Sequence, residues 1–176
     1  MRRVVVYIGM SLDGYIADRN GGVKWMTGDG SEPGSAGSYQ QFIETVDTVL
    51  MGYRTYHQIV TELSGGSWVY RGKKSYVLTH RDMESTGEIT FTHQDLAALI
   101  GALKARPGGD IWVCGGADII CQLMAGQLID RYHVTVLPVI LGGGLRLFAP
   151  QERCCRLRLL STAVYGGMVD LVYERR

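Results

Sequence analysis

The chain has 176 residues, 46% of them hydrophobic and 20% charged, with a formal charge of +1. That size and composition describe one globular domain over residues 1–176, large enough to bury a core. The near-neutral charge gives no general pull towards nucleic acid or an anionic membrane, and no apolar run reaches the length of a membrane span. Met1-Arg2-Arg3 ahead of an apolar run resembles a secretory start. Asp13 cuts that run and no small-residue cleavage site follows, so a first strand is the better reading.

Cysteine and histidine usage excludes more. Cys114 and Cys121 sit in apolar surroundings, Cys154 and Cys155 are adjacent, and no C-x-x-C occurs. A disulfide framework and a zinc site are both disfavoured, which points to a reducing cytoplasm. His57, His80, His93 and His133 are scattered, without H-E-x-x-H spacing, and predict no metal site.

The first strand covers residues 3–9, a continuous apolar run of the kind buried on both faces. Asp13-Gly14 then forces a turn, and the chain runs through Asp18-Arg19-Asn20-Gly21-Gly22 to Lys24-Trp25. This is either a surface excursion with Trp25 laid over the core, or a mobile flap at the carboxyl end of the strand, where open α/β sheets place ligands. Residues 28–38 are rich in Gly and Ser, contain Pro33, and predict a flexible, poorly ordered connector. A helix follows over 39–46, with Phe42, Ile43 and Val46 on one face, then a short buried strand over 47–52.

A second helix starts directly after Gly52, over 53–60, with Arg54 in its first turn. A cation there opposes the helix dipole by a few tenths of a kcal/mol, so it calls for an anionic partner. The next strand, 73–81, ends in Thr79, His80 and Arg81. This is either a solvated strand end or a phosphate clamp, because a hydroxyl and a guanidinium can both donate to a dianion.

A short strand over 88–91 and an amphipathic helix over 93–105 follow, the latter stopped by Pro107-Gly108-Gly109. Residues 110–114 form an apolar strand that stops at Gly115-Gly116, and a helix begins at once and runs to about 125. Such a unit leaves free N–H groups at the helix N-terminus, and the glycines let a ligand approach the backbone. Paired glycines after strands are also common without any ligand. A strand over 130–139 leads into the glycine loop Leu141-Gly142-Gly143-Gly144-Leu145, and residues 156–165 and 168–174 flank Gly166-Gly167 as a hairpin. Alternating strands and helices predict an α/β fold with a mostly parallel central sheet, helices on both faces and an antiparallel C-terminal hairpin.

Five stretches carry a family resemblance across nearly the whole chain. They are Met10-Ser11-Leu12-Asp13-Gly14-Tyr15-Ile16-Ala17, Leu50-Met51-Gly52-Tyr53-Arg54-Thr55-Tyr56, Tyr76-Val77-Leu78-Thr79, Val113-Cys114-Gly115-Gly116, and the run from Leu137 to Phe148. In this order they resemble the dihydrofolate reductase superfamily, specifically the reductase domain at the C-terminal end of the bifunctional deaminase–reductase of riboflavin biosynthesis.

The resemblance implies a dihydrofolate reductase-like three-layer α/β/α fold, NADPH as cofactor, a small-molecule substrate and a homodimer, without nucleic-acid or membrane partners. It places Gly52, Arg54 and Thr55 at the cofactor phosphates. Leu78, Thr79, His80 and Arg81 fall at the adenosine 2′-phosphate end, and Cys114, Gly115, Gly116, Ala117, Asp118 and Ile119 at the pyrophosphate. The arginine usual directly after Met-Gly is Tyr53 here, with Arg54 one place later.

On the substrate side the resemblance points to Ser11, Asp13, Trp25, Gly142, Gly143, Gly144 and Arg146, with Asp13 as the candidate catalytic residue and Asp13, Tyr15 or an ordered water as the proton donor. Asp13 can equally cap its own turn. Dihydrofolate reductases hold the pterin with a carboxylate near the start of the first helix, and residues 34–40 contain no acid. The H-x-E and P-C-x-x-C signature of a zinc deaminase is absent as well. The expected activity is therefore an NADPH-dependent reductase like 5-amino-6-(5-phosphoribosylamino)uracil reductase. A dihydrofolate reductase and an NADPH-binding module without catalysis stand as alternatives.

Overall fold

Val4, Val5 and Val6 are all buried because the first strand has neighbours on both edges and layers on both faces. This strand, β1 (Val4–Ser11), pairs in parallel with β6 (Asp110–Gly115) on one side and β7 (Arg131–Leu137) on the other. The computed structural model describes residues 2–32, 37–150 and 154–176. Beyond β6 lie β3 (Val46–Gly52), β4 (Lys74–Leu78) and β5 (Ile89–Thr92), all parallel. Beyond β7 come β10 (Met168–Arg175) and then β9 (Leu157–Tyr165), both antiparallel. The eight-stranded order is β5-β4-β3-β6-β1-β7-β10-β9, and its mostly parallel pairing with an antiparallel C-terminal pair is what the alternation of elements predicts.

Alternating side chains divide the core into two layers. Val4, Val6, Ile111 and Val113 pack against α3 (Leu96–Lys104) and α4 (Ala117–Ala125). Val5, Val49, Met51 and Trp112 face α1 (Tyr39–Thr45) and the helical segment that starts as α2 (Tyr53–Gln58) and widens into a π-turn over Ile59–Leu63. Asp95 caps α3 by accepting from the Ala98 N–H at 2.9 Å, so this helix starts later than its apolar pattern suggests. Arg2 pairs with Asp47, and Arg3 with Asp110 at 2.7 Å. The N-terminal basic pair thus ties the amino ends of the central strands β1, β3 and β6 together.

Two features depart from the sequence reading. Tyr15–Ala17 (β2) and Leu145–Arg146 (β8) form a separate two-stranded ribbon above the carboxyl end of the sheet. The connector predicted to be poorly ordered over 28–38 is docked at both of its described ends. Asp29 N–H donates to the Gly166 carbonyl at 2.9 Å, and Gly166 N–H reaches Glu32 Oε2 at 3.2 Å. Ser38 bonds His133 and Asp170. The hairpin turn supplies partners that a Gly/Ser composition cannot reveal; residues 33–36 lie outside the described residues. Among the described residues no helix is long and apolar enough to cross a membrane, and no cluster of His, Cys, Asp and Glu could hold a metal.

Candidate active site

The carboxyl ends of β3, β4 and β6 open into a cleft of about 810 Å³. Each end contributes through a turn that the sequence dictates. Gly52 leads β3 into α2, Thr79 and His80 turn the chain out of β4, and Gly115-Gly116 leads β6 into α4. The two glycine turns face each other. A Cβ on Gly115 would stand 3.3 Å from Thr55 Oγ1, and one on Gly116 3.4 Å from the same atom. Gly115 also has φ +148°, which L side chains rarely adopt, and the Gly115–Gly116 peptide is cis.

Gly116 caps α4 with no side-chain bond, and its carbonyl accepts from Ile119 and Ile120 N–H at 3.1 and 3.2 Å. The first-turn N–H groups of Ala117 and Asp118 have no intrahelical acceptor and border the cleft. Asp118 suits the helix dipole there. Together these groups make a cradle for an anion built mainly of backbone.

At the far end of the cleft the polarity turns cationic. Thr79 is buried and its Oγ1 accepts from Arg81 N–H at 3.0 Å, which leaves its own hydrogen to donate. The Arg81 guanidinium lies 4.5 Å from the centroid of the Tyr53 ring. Among the described residues neither Arg54 nor Arg81 forms an ion pair with a carboxylate. A smaller recess of about 380 Å³ continues past Arg54 and Arg81 to His57, Gln58 and Glu62.

Eleven of the thirteen sequence-predicted cofactor residues line the larger cleft: Gly52, Arg54, Thr55, Leu78, Thr79, His80, Arg81, Gly116, Ala117, Asp118 and Ile119. Gly115 sits directly behind them. Cys114 is a correction. Its side chain shares a face with Trp112, lies 3.4 Å from Tyr70 Oη, and packs in the α1-side layer. Burial pushes the thiol up to about 11, so it is an inert core group. Sequence reasoning missed Tyr53, Gln58 and the rim formed by Thr92, His93, Gln94 and Asp95. The last four stand between β5 and α3, and the Asp95 capping pattern was the available signal.

The predicted substrate residues come together, but largely with one another. Ser11 Oγ donates to Asp13 Oδ1 at 2.6 Å and accepts from Tyr15 N–H at 2.9 Å. Asp13 also accepts from Leu141 N–H at 3.1 Å and Gly142 N–H at 2.8 Å. Arg146 stacks on Tyr15 at 4.9 Å, Gly144 abuts the Ala17 carbonyl, and Gly143 lies against Arg19. Trp25 donates to the Gly22 carbonyl at 3.0 Å. None of the seven lines the larger cleft; their neighbours Ala17, Gly21 and Leu145 do. Ser11, Asp13, Gly142, Gly143, Gly144 and Arg146 therefore frame the flap.

The expected acid role for Asp13 needs the same correction. Hydrogen bonds from Ser11, then from the Gly142 and Leu141 backbone, hold its carboxyl below the usual range. Its contacts make it a tether between the turn after β1 and the glycine loop.

With this geometry in place the comparisons with known proteins are decisive. The sequence matches the RibD C-terminal domain family over residues 2–171. The chain belongs to that family. It is 35% identical over 175 residues to YwjB of Bacillus subtilis (strain 168), an uncharacterised protein, covering 99% of this chain and 98% of that one. YyaP of the same organism, also uncharacterised, is 28% identical over 183 residues, covering 98% and 95%. Among solved structures, a Shewanella sp. PV-4 protein provisionally assigned to riboflavin biosynthesis superposes with TM-score 0.84 at 26% identity, covering 99% of each chain. The deaminase/5-amino-6-(5-phosphoribosylamino)uracil reductase of Thermotoga maritima gives TM-score 0.74 at 16% identity, over 99% of this chain and 57% of that one. The latter likeness shows the fold alone, and it confirms the dihydrofolate reductase-like three-layer architecture.

Proposed function

We propose that this protein is an NADPH-dependent reductase acting on a small pyrimidine-like or sugar carbonyl substrate, in the manner of 5-amino-6-(5-phosphoribosylamino)uracil reductase. The observation that carries the reading is the cleft's polarity. A diglycine cradle with free N–H groups stands at one end, and two guanidiniums without carboxylate partners stand at the other. That pattern suits a dinucleotide with a pyrophosphate in its middle and a phosphate monoester at one end. In this reading Gly116, Ala117, Asp118 and Thr55 seat the pyrophosphate, while Thr79, Arg54 and Arg81 receive the 2′-phosphate. The cofactor supplies the hydride; the chain's own residues bind, orient and exclude water. The ribbon of β2 and β8, tethered through Asp13, closes the cleft beside Ala17 and Leu145.

The test is a binding titration of NADPH and NADH against wild type and Arg81→Ala. One charge-assisted bond is worth about 1.5–3 kcal/mol, so removal of Arg81 weakens NADPH by roughly 10- to 100-fold and brings it close to NADH. Equal affinity of the wild type for both cofactors refutes the 2′-phosphate assignment. NADPH oxidation measured with the ribosylamino-pyrimidine phosphate and with dihydrofolate then identifies the substrate. Tight NADPH binding with oxidation by neither compound refutes the proposed substrate class.

A further inference from the structure

Tyr53 follows Gly52 at the position where the resemblance leads one to look for an arginine, and it borders both the 810 Å³ cleft and the 380 Å³ recess. Its ring is half-buried and lies against the α1-side layer, at 6.2 Å from Tyr56 and 5.8 Å from His57. The outer face of that ring carries the Arg81 guanidinium at 4.5 Å. Arg81 is otherwise exposed, on a turn where its own N–H donates to the Thr79 hydroxyl. An arginine without such support would sample many rotamers and would lose that freedom on binding.

The recess beneath the pair contains one acid, Glu62, which accepts from Gln58 Nε2 at 3.2 Å. Gln58 Nε2 also reaches the Gly21 carbonyl at 2.8 Å, so it ties the flap to α2 along the edge of the recess. Among the described residues Arg54 and Arg81 are both left without an ion-pair partner, beside a recess large enough for a phosphate group.

We propose that Tyr53 is a specificity-determining positioning residue, whose ring holds the Arg81 guanidinium in place beside Arg54 to receive the terminal phosphate monoester of the dinucleotide. A ring in place of a guanidinium recruits one from the end of a neighbouring strand, β4. The inference rests on the NADPH reading above and adds the device that sets its selectivity. The hydroxyl of Tyr53 has no part in it, since the contact is with the face of the ring.

The test compares dissociation constants for NADPH, NADH and adenosine 2′,5′-bisphosphate in wild type, Tyr53→Leu and Tyr53→Phe. Tyr53→Leu is expected to lower the NADPH/NADH preference about two- to fivefold, the weight of a surface cation–π contact. Affinity for the bisphosphate should fall by the same factor. Tyr53→Phe, which keeps the ring, restores both. A purely structural role would move NADPH and NADH together and leave their ratio unchanged. A selective wild type with an equally selective Tyr53→Leu overturns the platform role and leaves the NADPH reading standing. A loss in Tyr53→Phe as large as in Tyr53→Leu also overturns it. A wild type with no preference between NADPH and NADH overturns both.

Discussion

Asp170 is 1% exposed, yet its carboxylate is ionised and fully engaged. Oδ1 accepts from Thr135 Oγ1 at 2.6 Å and Tyr165 Oη at 2.7 Å. Oδ2 accepts from His133 Nε2 at 3.0 Å and from Ser38 Oγ. Burial opposes ionisation, but the bonds from His133, Ser38, Thr135 and Tyr165 outweigh it and hold the carboxyl well below its usual range. Asp170→Asn is nearly isosteric and removes the charge. The remaining carbonyl serves two donors, while the new amide faces Ser38 and His133, which must turn to accept. Each bond falls from the charged class, about 1.5–3 kcal/mol, towards the neutral one, about 0.5–1.5. Relief of the carboxylate's desolvation offsets part of that loss. The expected net destabilisation is about 2–3 kcal/mol, or roughly 4–12 °C in Tm for a domain of this size.

The sign of the pH dependence follows from the depressed folded pKa. Asp170 contributes stability that is fully present above its unfolded value, near ~3.9, and is lost as pH falls through that value towards the folded pKa. Urea melts followed by tryptophan fluorescence at pH 7, 5 and 3 measure this directly. The gap between wild type and Asp170→Asn should be widest at pH 7 and narrow at pH 3. A gap of the same size at pH 7 and pH 3, or none at pH 7, refutes the reasoning.

Three further outcomes follow from the site. Gly115→Ala places a methyl 3.3 Å from Thr55 Oγ1 at φ +148°, so NADPH affinity should fall by about tenfold or more on roughly 1–3 kcal/mol of strain; isothermal titration checks it. Asp13→Ala frees the Leu141 and Gly142 N–H groups. It should lower kcat/KM while leaving the shape of the pH profile between about pH 6 and 8 unchanged, because a carboxyl held below its usual range has already lost its proton there; the loss of a titrating limb would instead identify Asp13 as the acid. For the proposed homodimer we favour the open edge of β9, where Leu159, Leu160 and Val164 are exposed, Val164 by 74%; Val164→Lys should shift a dimer to monomer in sedimentation, and an unshifted dimer rules that edge out.

The centre of the sheet was legible because β1, β3 and β6 are largely apolar runs, and parallel pairing in the interior of the sheet buries both their faces. The cleft at the carboxyl ends of β3, β4 and β6 was legible for a related reason. Gly52-Tyr53-Arg54-Thr55 and Gly115-Gly116-Ala117 are local strand–glycine–helix units, readable from contiguous residues. The β2–β8 ribbon escaped because Tyr15–Ala17 and Leu145–Arg146 are too short for any periodicity. What holds them is distant, namely the Asp13 tether to Leu141 and Gly142 and the Leu147 N–H bond to the Gly14 carbonyl at 3.0 Å. Trp25 shows the same limit: the sequence offered a flap or a lid on the core, and the structure gives it a bond to Gly22 three residues back.

The missing acid near the first helix shows why the substrate side was harder to read. Residues 37–40, at the described start of α1, contain no carboxylate, yet one reaches that place from β10, 132 residues beyond Ser38. No spacing rule links Ser38, His133 and Asp170; only the pairing of β7 with β10 and the docking of Ser38 bring them together. Ser38 stands at the N-cap of α1 without capping it, since its hydroxyl goes to Asp170 and His133. A carboxylate offers about four acceptor positions, and Thr135, Tyr165, His133 and Ser38 fill them. The carboxylate beside the start of α1 is therefore engaged by the protein's own donors. Asp170 thus fixes the start of α1 from the far side of the sheet order, a role that no local sequence window contains.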